Sequence, residues 1–223
     1  MVLHAQRKRT MPTRRKIIDA SIALRAAALV AALALGGCGT AKAETSTTAF
    51  ALSSPDLVGG TFSNKFILNG FGCTGKNVSP ALEWSHVPDG TQSLALQVHD
   101  LDAPTGSGFW HWAVYNIPAD ATGLPQGAGN DDAKLPTGAF AGNNDFLDTG
   151  ITGSNGDYGG PCPPEGDAPH RYVFTLFAAA VDKLEVAGSV PKTGTAALYG
   201  FVLNKGIGAG LLGKATFTAK YGR

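Results

Sequence analysis

Two carboxylates and two imidazoles fall within thirteen residues of the sequence: His99, Asp100, Asp102 and His111. An apolar run leads into them, and the loop 103–108 contains a proline and two glycines that end a regular strand. Carboxylates beside imidazoles are suited to acid–base catalysis, to metal ligation, or to orienting histidines that bind an anion. Polar groups at the end of a buried strand commonly belong to functional sites. This stretch is therefore the first candidate for the site.

A further histidine lies at the end of the longest irregular part of the sequence. Residues 123–167 are rich in glycine, asparagine, aspartate and proline and show little hydrophobic periodicity. A loop of this length in a compact domain is usually functional or disordered. The stretch 157–172 holds four prolines and three glycines, which predict a rigid, irregular path. That path places His170 at the start of the most apolar run, 171–181.

Short apolar runs separated by glycine and proline predict a mainly β fold. The sequence has 30 glycines and 13 prolines, and they separate runs that have the length of strands. The run 171–181 is nearly continuous, which predicts a strand buried on both faces. The segment 214–221 alternates with a period of two, which predicts a half-buried last strand. The other predicted elements are strands at 50–52, 62–68, 81–85, 93–99 and 110–117 and one short helix at 195–204.

The beginning of the sequence predicts a targeting signal rather than part of the fold. A basic segment precedes an apolar run at 22–35, which is shorter than the roughly 18 residues that a bilayer-spanning helix needs. The run ends in Leu-Gly-Gly-Cys38 and is similar to the bacterial lipobox, after which the cysteine becomes N-terminal and carries lipid. We expect a signal peptide at 1–37, a polar tether at 38–49 and one domain at 50–223. Ordinary cleavage and secretion without lipid is the alternative.

Removal of residues 1–37 leaves 11 basic and 16 acidic residues, a formal net charge of −5. A mildly acidic domain without a basic cluster is a poor candidate for nucleic-acid binding, which depends on lysine and arginine at the phosphates. With Cys38 assigned to the lipid, Cys73 and Cys162 remain as an even pair in a compartment that permits disulfides. We expect a disulfide between them, and two buried free thiols are the alternative.

Several motifs, in order along the chain, resemble the phosphatidylethanolamine-binding protein family. The resemblance is strongest to its bacterial branch, which is called Raf-kinase-inhibitor-like or YbhB/YbcL-like. It runs from about Phe50 to the C-terminus, and Leu101 stands where the family usually has a proline. The motifs are 77–84 (NVSPALEW), 100–104 (DLDAP), His111 between two tryptophans, 143–146 (NNDF), 158–164 (YGGPCPP) and 169–172 (PHRY).

The resemblance implies a fold of two antiparallel β-sheets with a few short peripheral helices. It also implies a small surface pocket for phosphate-type anions. An imidazole donates one N–H when neutral and two when charged, and a nearby aspartate favours the charged form, so the two histidines suit such a pocket. We expect no catalytic residue, metal or cofactor. Carried over by motif, the pocket residues are Asp100, Asp102, Pro104, His111, Gly160, Pro161, His170 and Tyr172.

These features together predict a non-enzymatic binding protein of the bacterial cell envelope, lipid-anchored and periplasm-facing or extracellular. Its expected ligand is an anionic or phosphorylated small molecule or a phospholipid head group. The alternative is an inhibitor or regulator of a partner protein that docks through the same pocket.

Three other chemistries have weaker support in the sequence. For a serine hydrolase, neither Ser107 nor Ser154 lies in a Gly-x-Ser-x-Gly elbow. For a metal site, the histidines lack a recognised ligand spacing. For a dinucleotide site, the G-x-G-x-x-G match at 208–213 precedes a predicted strand instead of opening a helix, and we expect a turn there.

Overall fold

Ten β-strands run through residues 49–147 and 149–223, the part of the chain that the computed structural model describes. The helices between the last two strands are α1 (Leu184–Ala187) and α2 (Ala196–Phe201). The predicted signal peptide, Cys38 and all of the tether except its last residue lie outside the described residues. The strands are β1 (Ala51–Ser53), β2 (Asn69–Gly70), β3 (Cys73–Thr74), β4 (Leu82–Ser85), β5 (Ser93–Asp100), β6 (Phe109–Pro118), β7 (Gly123–Leu124), β8 (Phe140–Ala141), β9 (His170–Ala179) and β10 (Leu211–Tyr221).

Two antiparallel sheets organise the domain, and the predicted fold class is confirmed. The larger sheet has the strand order β10–β9–β5–β6–β8, the smaller has the order β1–β4–β7, and β2 and β3 form a separate hairpin. Leu94 and Leu96 of β5 share a core with Trp84 of the small sheet. Ala95, between them, packs on the other face with Tyr199 of α2. Because β5 is covered on both faces, its apolar run is continuous rather than alternating.

The main departure from the predicted strands is at 62–68, which forms turns and irregular backbone. Phe62 and Phe66 are nevertheless buried in the main core. The segment bonds to a neighbouring loop instead of to a sheet, since the amide of Asn77 donates to the carbonyl of Ile67 at 2.9 Å. The prediction of a strand here is wrong because the polar residues 63–65 are exposed and lead into a turn at 64–66, between the buried Phe62 and Phe66.

The helical part of the domain is small and close to the prediction of 195–204. The hydroxyl of Thr195 caps α2 by accepting a hydrogen bond from the amide of Leu198 at 3.2 Å. A π-helical turn, Val202–Gly206, continues the helix. In the described part of the chain, we find no helix with the length and hydropathy that crossing a membrane requires.

Candidate ligand-binding site

A cavity of about 160 Å³ opens where β5 ends and β6 and β9 begin. The ends of the three central strands of the large sheet therefore form the floor of the cavity. Loops between the strands form the remaining walls. Six of the eight pocket residues predicted from the sequence line the cavity: Asp100, Pro104, His111, Gly160, His170 and Tyr172.

Strand register brings the polar side chains to one face of the sheet. Asp100 lies opposite Tyr172 on β9 and opposite Phe109 on β6. His170 comes two residues before Tyr172, and His111 comes two residues after Phe109. Because side chains alternate along a strand with a period of two, both imidazoles share the face of Asp100.

A buried ion pair joins Asp100 and His170 across β5 and β9. The Nδ1 atom of His170 lies 2.7 Å from Oδ2 of Asp100, and each residue is only 3% exposed. Burial disfavours the charged imidazole, but hydrogen bonds and charges from Asp100 and Asp167 outweigh it and raise the pKa of His170. The pairing with Asp100 therefore favours the charged form of the His170 ring.

His111 is in the opposite protonation state. Its Nδ1 atom donates to the carbonyl of Gly159 at 2.7 Å, and burial lowers its pKa to about 4. The expectation that a nearby aspartate charges both imidazoles is therefore correct for His170 and wrong for His111, where desolvation dominates. Since Nδ1 of the neutral ring carries the proton, Nε2 is left as a hydrogen-bond acceptor.

The hydroxyl of Tyr172 is the pocket's unsatisfied polar group. Tyr172 is 1% exposed, and its hydroxyl has no hydrogen-bond partner among the described residues. Burial, the charge of Asp100 and the approach of its carboxylate to the hydroxyl raise the pKa of the phenol, so the hydroxyl stays protonated and faces this carboxylate outside standard hydrogen-bond geometry. Its ring packs edge-on against His111, with 5.1 Å between the ring centroids.

Asp102 lies outside the cavity and stabilises its edge by binding Arg171. Its carboxylate accepts hydrogen bonds from the backbone amide of Arg171 at 2.8 Å and from the Arg171 guanidinium at 2.6 Å. These contacts with Arg171 hold the pKa of Asp102 at about 2. The amide of Leu101 also donates to the carbonyl of Arg171 at 3.1 Å. Hydrogen bonds thus fix the local backbone at the position where the family usually has a proline.

Pro161 is the other predicted pocket residue that does not line the cavity. It contributes to the cavity wall through its backbone. Its carbonyl accepts from the amide of Leu68 at 3.1 Å, which attaches this wall to the segment at 62–68. Asn77, which sequence reasoning did not select, holds the same wall by accepting from the amide of Gly160 at 2.7 Å. Its presence in the motif at 77–84 was the available signal.

Apolar side chains complete the cavity, and none of them is among the pocket residues predicted from the sequence. Phe109 and Phe146 pack edge-on with 4.9 Å between ring centroids, and Phe71 stacks on Phe146 at 6.4 Å. Phe71 is 59% exposed and lies at the rim. Phe146 stands in the motif at 143–146, whereas no pattern in the sequence marked Phe71.

The expected disulfide between Cys73 and Cys162 is present and closes one side of the cavity. Cys162 lines the cavity, and Cys73 begins β3. The bond therefore fastens the β2–β3 hairpin, which carries Phe71, to the wall that carries Gly160.

Comparison with known proteins supports the same family. A family model described as phosphatidylethanolamine-binding protein matches residues 58–221. The chain is 48% identical to the Escherichia coli K12 protein YbcL over 158 residues, which are 70% of this chain and 80% of YbcL. It is 43% identical to YbhB of the same strain over 123 residues, 55% of this chain and 73% of YbhB. It is also 34% identical to the Mycobacterium tuberculosis H37Rv protein LppC, named a lipoprotein, over 171 residues, 69% of this chain and 77% of LppC.

The crystal structure of Escherichia coli YbcL, described as a member of the mammalian PEBP family, is similar to this fold. Its TM-score is 0.67 at 43% identity, and the match covers 78% of this chain and 98% of that chain. The family predicted from the motifs is thus confirmed. Membership in this family supports a PEBP-like binding protein. The chain belongs to the phosphatidylethanolamine-binding protein family.

Proposed function

We propose that this protein is a non-enzymatic binding protein of the bacterial cell envelope whose pocket takes a phosphate-type anion, free or in a phospholipid head group. The observation that carries the proposal is the buried Tyr172 hydroxyl, which has no partner among the described residues. Leaving a buried polar group unpaired costs roughly 1–3 kcal/mol. A ligand oxygen in the cavity would accept this hydrogen bond, and the charged His170 beside it favours an anion.

The charges around the cavity favour a ligand that carries an ammonium group as well as a phosphate. Among the described lining residues there is no lysine or arginine, so His170 is the one side chain there that can carry positive charge at neutral pH. The neighbouring Asp100 would repel an unaccompanied dianion. An ethanolamine head group brings its own positive charge. We therefore expect phosphorylethanolamine to bind more tightly than inorganic phosphate.

The hydroxyl and imidazole groups of the described lining support binding rather than covalent catalysis. Thr105 has the one aliphatic hydroxyl there, and it donates to the carbonyl of Gly108 instead of to a histidine. Both ring nitrogens of His170 face carboxylates. Covalent catalysis requires a nucleophile within reach of a base, and these groups do not form such a pair.

The envelope location rests on the leader and Cys38, and the likeness to a named lipoprotein supports it. When the full-length chain is expressed in a bacterial host, mass spectrometry of the membrane fraction should find an N-terminal peptide that begins at Cys38 and carries lipid. Cys38→Ala should move the protein out of that fraction. An unmodified N-terminus beyond Cys38 would contradict the lipid anchor and support secretion.

Calorimetric titration with phosphorylethanolamine and inorganic phosphate tests the pocket. Tyr172→Phe should weaken binding by at least about tenfold, because a hydrogen bond to a charged group contributes roughly 1.5–3 kcal/mol. The matched control is Tyr199→Phe, which removes a hydroxyl that donates to Pro191 outside the cavity and should leave affinity unchanged. His170→Ala should abolish measurable binding. If the wild type binds neither compound, or Tyr172→Phe binds as tightly as the wild type, the proposed pocket is wrong.

A further inference from the structure

Both ring nitrogens of His170 are held by carboxylates of the protein itself. Nδ1 lies 2.7 Å from Asp100, and Nε2 lies 3.4 Å from Oδ2 of Asp167. The charged ring has two N–H groups, and each already faces an oxygen. A bound anion can therefore accept a hydrogen bond from His170 only by replacing one of the two carboxylates.

The two carboxylates differ in how firmly they are held. Asp100 is buried in β5, and its other oxygen accepts from the amide of Asp102 at 2.9 Å. The side chain of Asp167 is 45% exposed, does not line the cavity, and makes the longer contact. Hydrogen bonds weaken toward this distance. Asp167 is thus the partner that a ligand can displace at small cost.

The loop that carries Asp167 has room to release it. Residues 164–169 are exposed, and the amide of Asp167 makes a long 3.3 Å bond to the carbonyl of Pro164. A Cβ added at Gly166 would have no neighbouring atom within 4 Å. Rotation of one exposed side chain next to open space would free the Nε2–H without disturbing the sheet.

We propose that the Asp167 carboxylate is an internal competitor for the anion, occupying the His170 Nε2–H that the ligand takes when it binds. The inference rests on the proposed function, because it describes how that same site is regulated. Asp167 then sets the affinity of the pocket without touching the bound ligand. It keeps His170 paired while the site is empty, and it rejects anions too weak to displace it.

Competition must be distinguished from simple repulsion, because removing any nearby negative charge favours an anion. Glu165 provides the matched control, since it is exposed and lies two residues away on the same loop. Glu165→Gln and Asp167→Asn each remove one charge and keep the shape of the side chain. Only Asp167→Asn removes a carboxylate from the His170 ring.

Calorimetric titration with inorganic phosphate at about 0.15 M salt measures the competition. Asp167→Asn should bind phosphate about three- to fivefold more tightly than the wild type, the range expected when a partly exposed ion pair is removed. Glu165→Gln should change affinity by less than about 1.5-fold, because salt screens an exposed charge at a distance. Equal affinities for Asp167→Asn and wild type, or equal tightening by both variants, would overturn the competition while leaving the pocket intact. Absence of phosphate binding in all three proteins would overturn the competition, and absence of phosphorylethanolamine binding as well would overturn the proposed function.

A ligand-independent measurement tests the contact itself. The groups that face or act on His170 are Asp100 from β5, Asp167 from its own loop, the charge of Asp102 beyond the end of β5, and the ring of Tyr172. NMR titration of the His170 ring should show a lower pKa in Asp167→Asn than in the wild type, and no change in Glu165→Gln. An unchanged pKa in Asp167→Asn would overturn the proposal even if phosphate affinity rose, because the competing contact would not exist.

Discussion

At the scale of single residues, the site depends on two histidines whose different partners shift their pKa values in opposite directions. His170 gains a carboxylate on each ring nitrogen and its pKa is raised. His111 bonds to a neutral carbonyl, so desolvation decides and its pKa falls to about 4. His170 thus offers N–H donors, whereas Nε2 of the neutral His111 is an acceptor that can pair only with a donor group of a ligand, such as an ammonium.

Asp100→Asn tests the buried pair through the pH dependence of stability. Because the folded-state pKa of His170 is raised, the pair stabilises the fold fully below the ordinary value of 6.5, and this stability is lost as the pH rises through the raised value. At about pH 6 the variant should lose about 3 kcal/mol of unfolding free energy, since it leaves a buried charge without its partner. Above the raised pKa the difference should shrink. Urea unfolding at several pH values measures it.

The control for this experiment is Asp120→Asn, at an exposed position in the turn after β6. Its effect on unfolding free energy should be small and should not follow the titration of His170. A loss in Asp100→Asn that stays constant across the same pH range would contradict the charged pair.

At the scale of elements, the walls of the cavity are irregular segments that pack backbone against backbone. A Cβ on Gly160 would lie 2.3 Å from the carbonyl oxygen of Phe66 and 2.6 Å from the amide nitrogen of Leu68. The Tyr158 hydroxyl donates to the same Phe66 carbonyl at 2.8 Å. Glycine is required at 160 because two main chains approach there, not because of an unusual turn.

Gly160→Ala should therefore lower the free energy of unfolding by about 2–3 kcal/mol, as overpacking against rigid backbone does. It should also weaken phosphorylethanolamine binding, because the wall must move. The matched variant Gly206→Ala places its Cβ 3.6 Å from the nearest atom, a side-chain carbon of Val202, and should change stability by less than about 1 kcal/mol. Equal effects in urea unfolding of the two variants would contradict the close packing at Gly160.

At the scale of the whole molecule, the site is assembled from segments far apart in sequence. Strand pairing joins β5 to β9, and the disulfide joins Cys73 to Cys162 across a separation of 89 residues. The small sheet covers one face of the large sheet, and the helices cover the other. The cavity lies at one end of this sandwich, where loops and the β2–β3 hairpin complete it.

Replacing both cysteines, Cys73→Ser with Cys162→Ser, should lower the free energy of unfolding by about 4–5 kcal/mol. The chain-entropy estimate for a loop of this length gives that value, because the bond restricts the unfolded chain. Urea unfolding of the wild type and the double variant, with and without reductant, measures it. Reductant should destabilise the wild type and leave the double variant unchanged. If the wild type is as stable when reduced, the disulfide does not contribute as expected.

The predicted elements show which patterns in the sequence carried structural information. The runs 93–99, 110–117 and 171–181 correspond to β5, β6 and β9 within two residues at each end, because a strand buried on both faces has few polar positions. The strand predicted at 62–68 does not form, because the backbone hydrogen bonds of this segment go to a neighbouring loop. Composition records that a segment is buried, and only the path of the neighbouring chain decides whether its backbone is paired in a sheet.

The hydrophobic pattern of the sequence determined the fold class, and its motifs carried the resemblance to the family, which implied the six residues that line the cavity, because patterns and motifs are local properties of the chain. Only the tertiary structure decided which carboxylate serves which histidine: Asp100 pairs with His170, whereas Asp102 turns outward to Arg171. It also decided the direction in which the pKa of each imidazole moves and left the Tyr172 hydroxyl without a partner in the described structure. Burial and distance between strands set these properties, and both exist only once β5, β6 and β9 lie side by side.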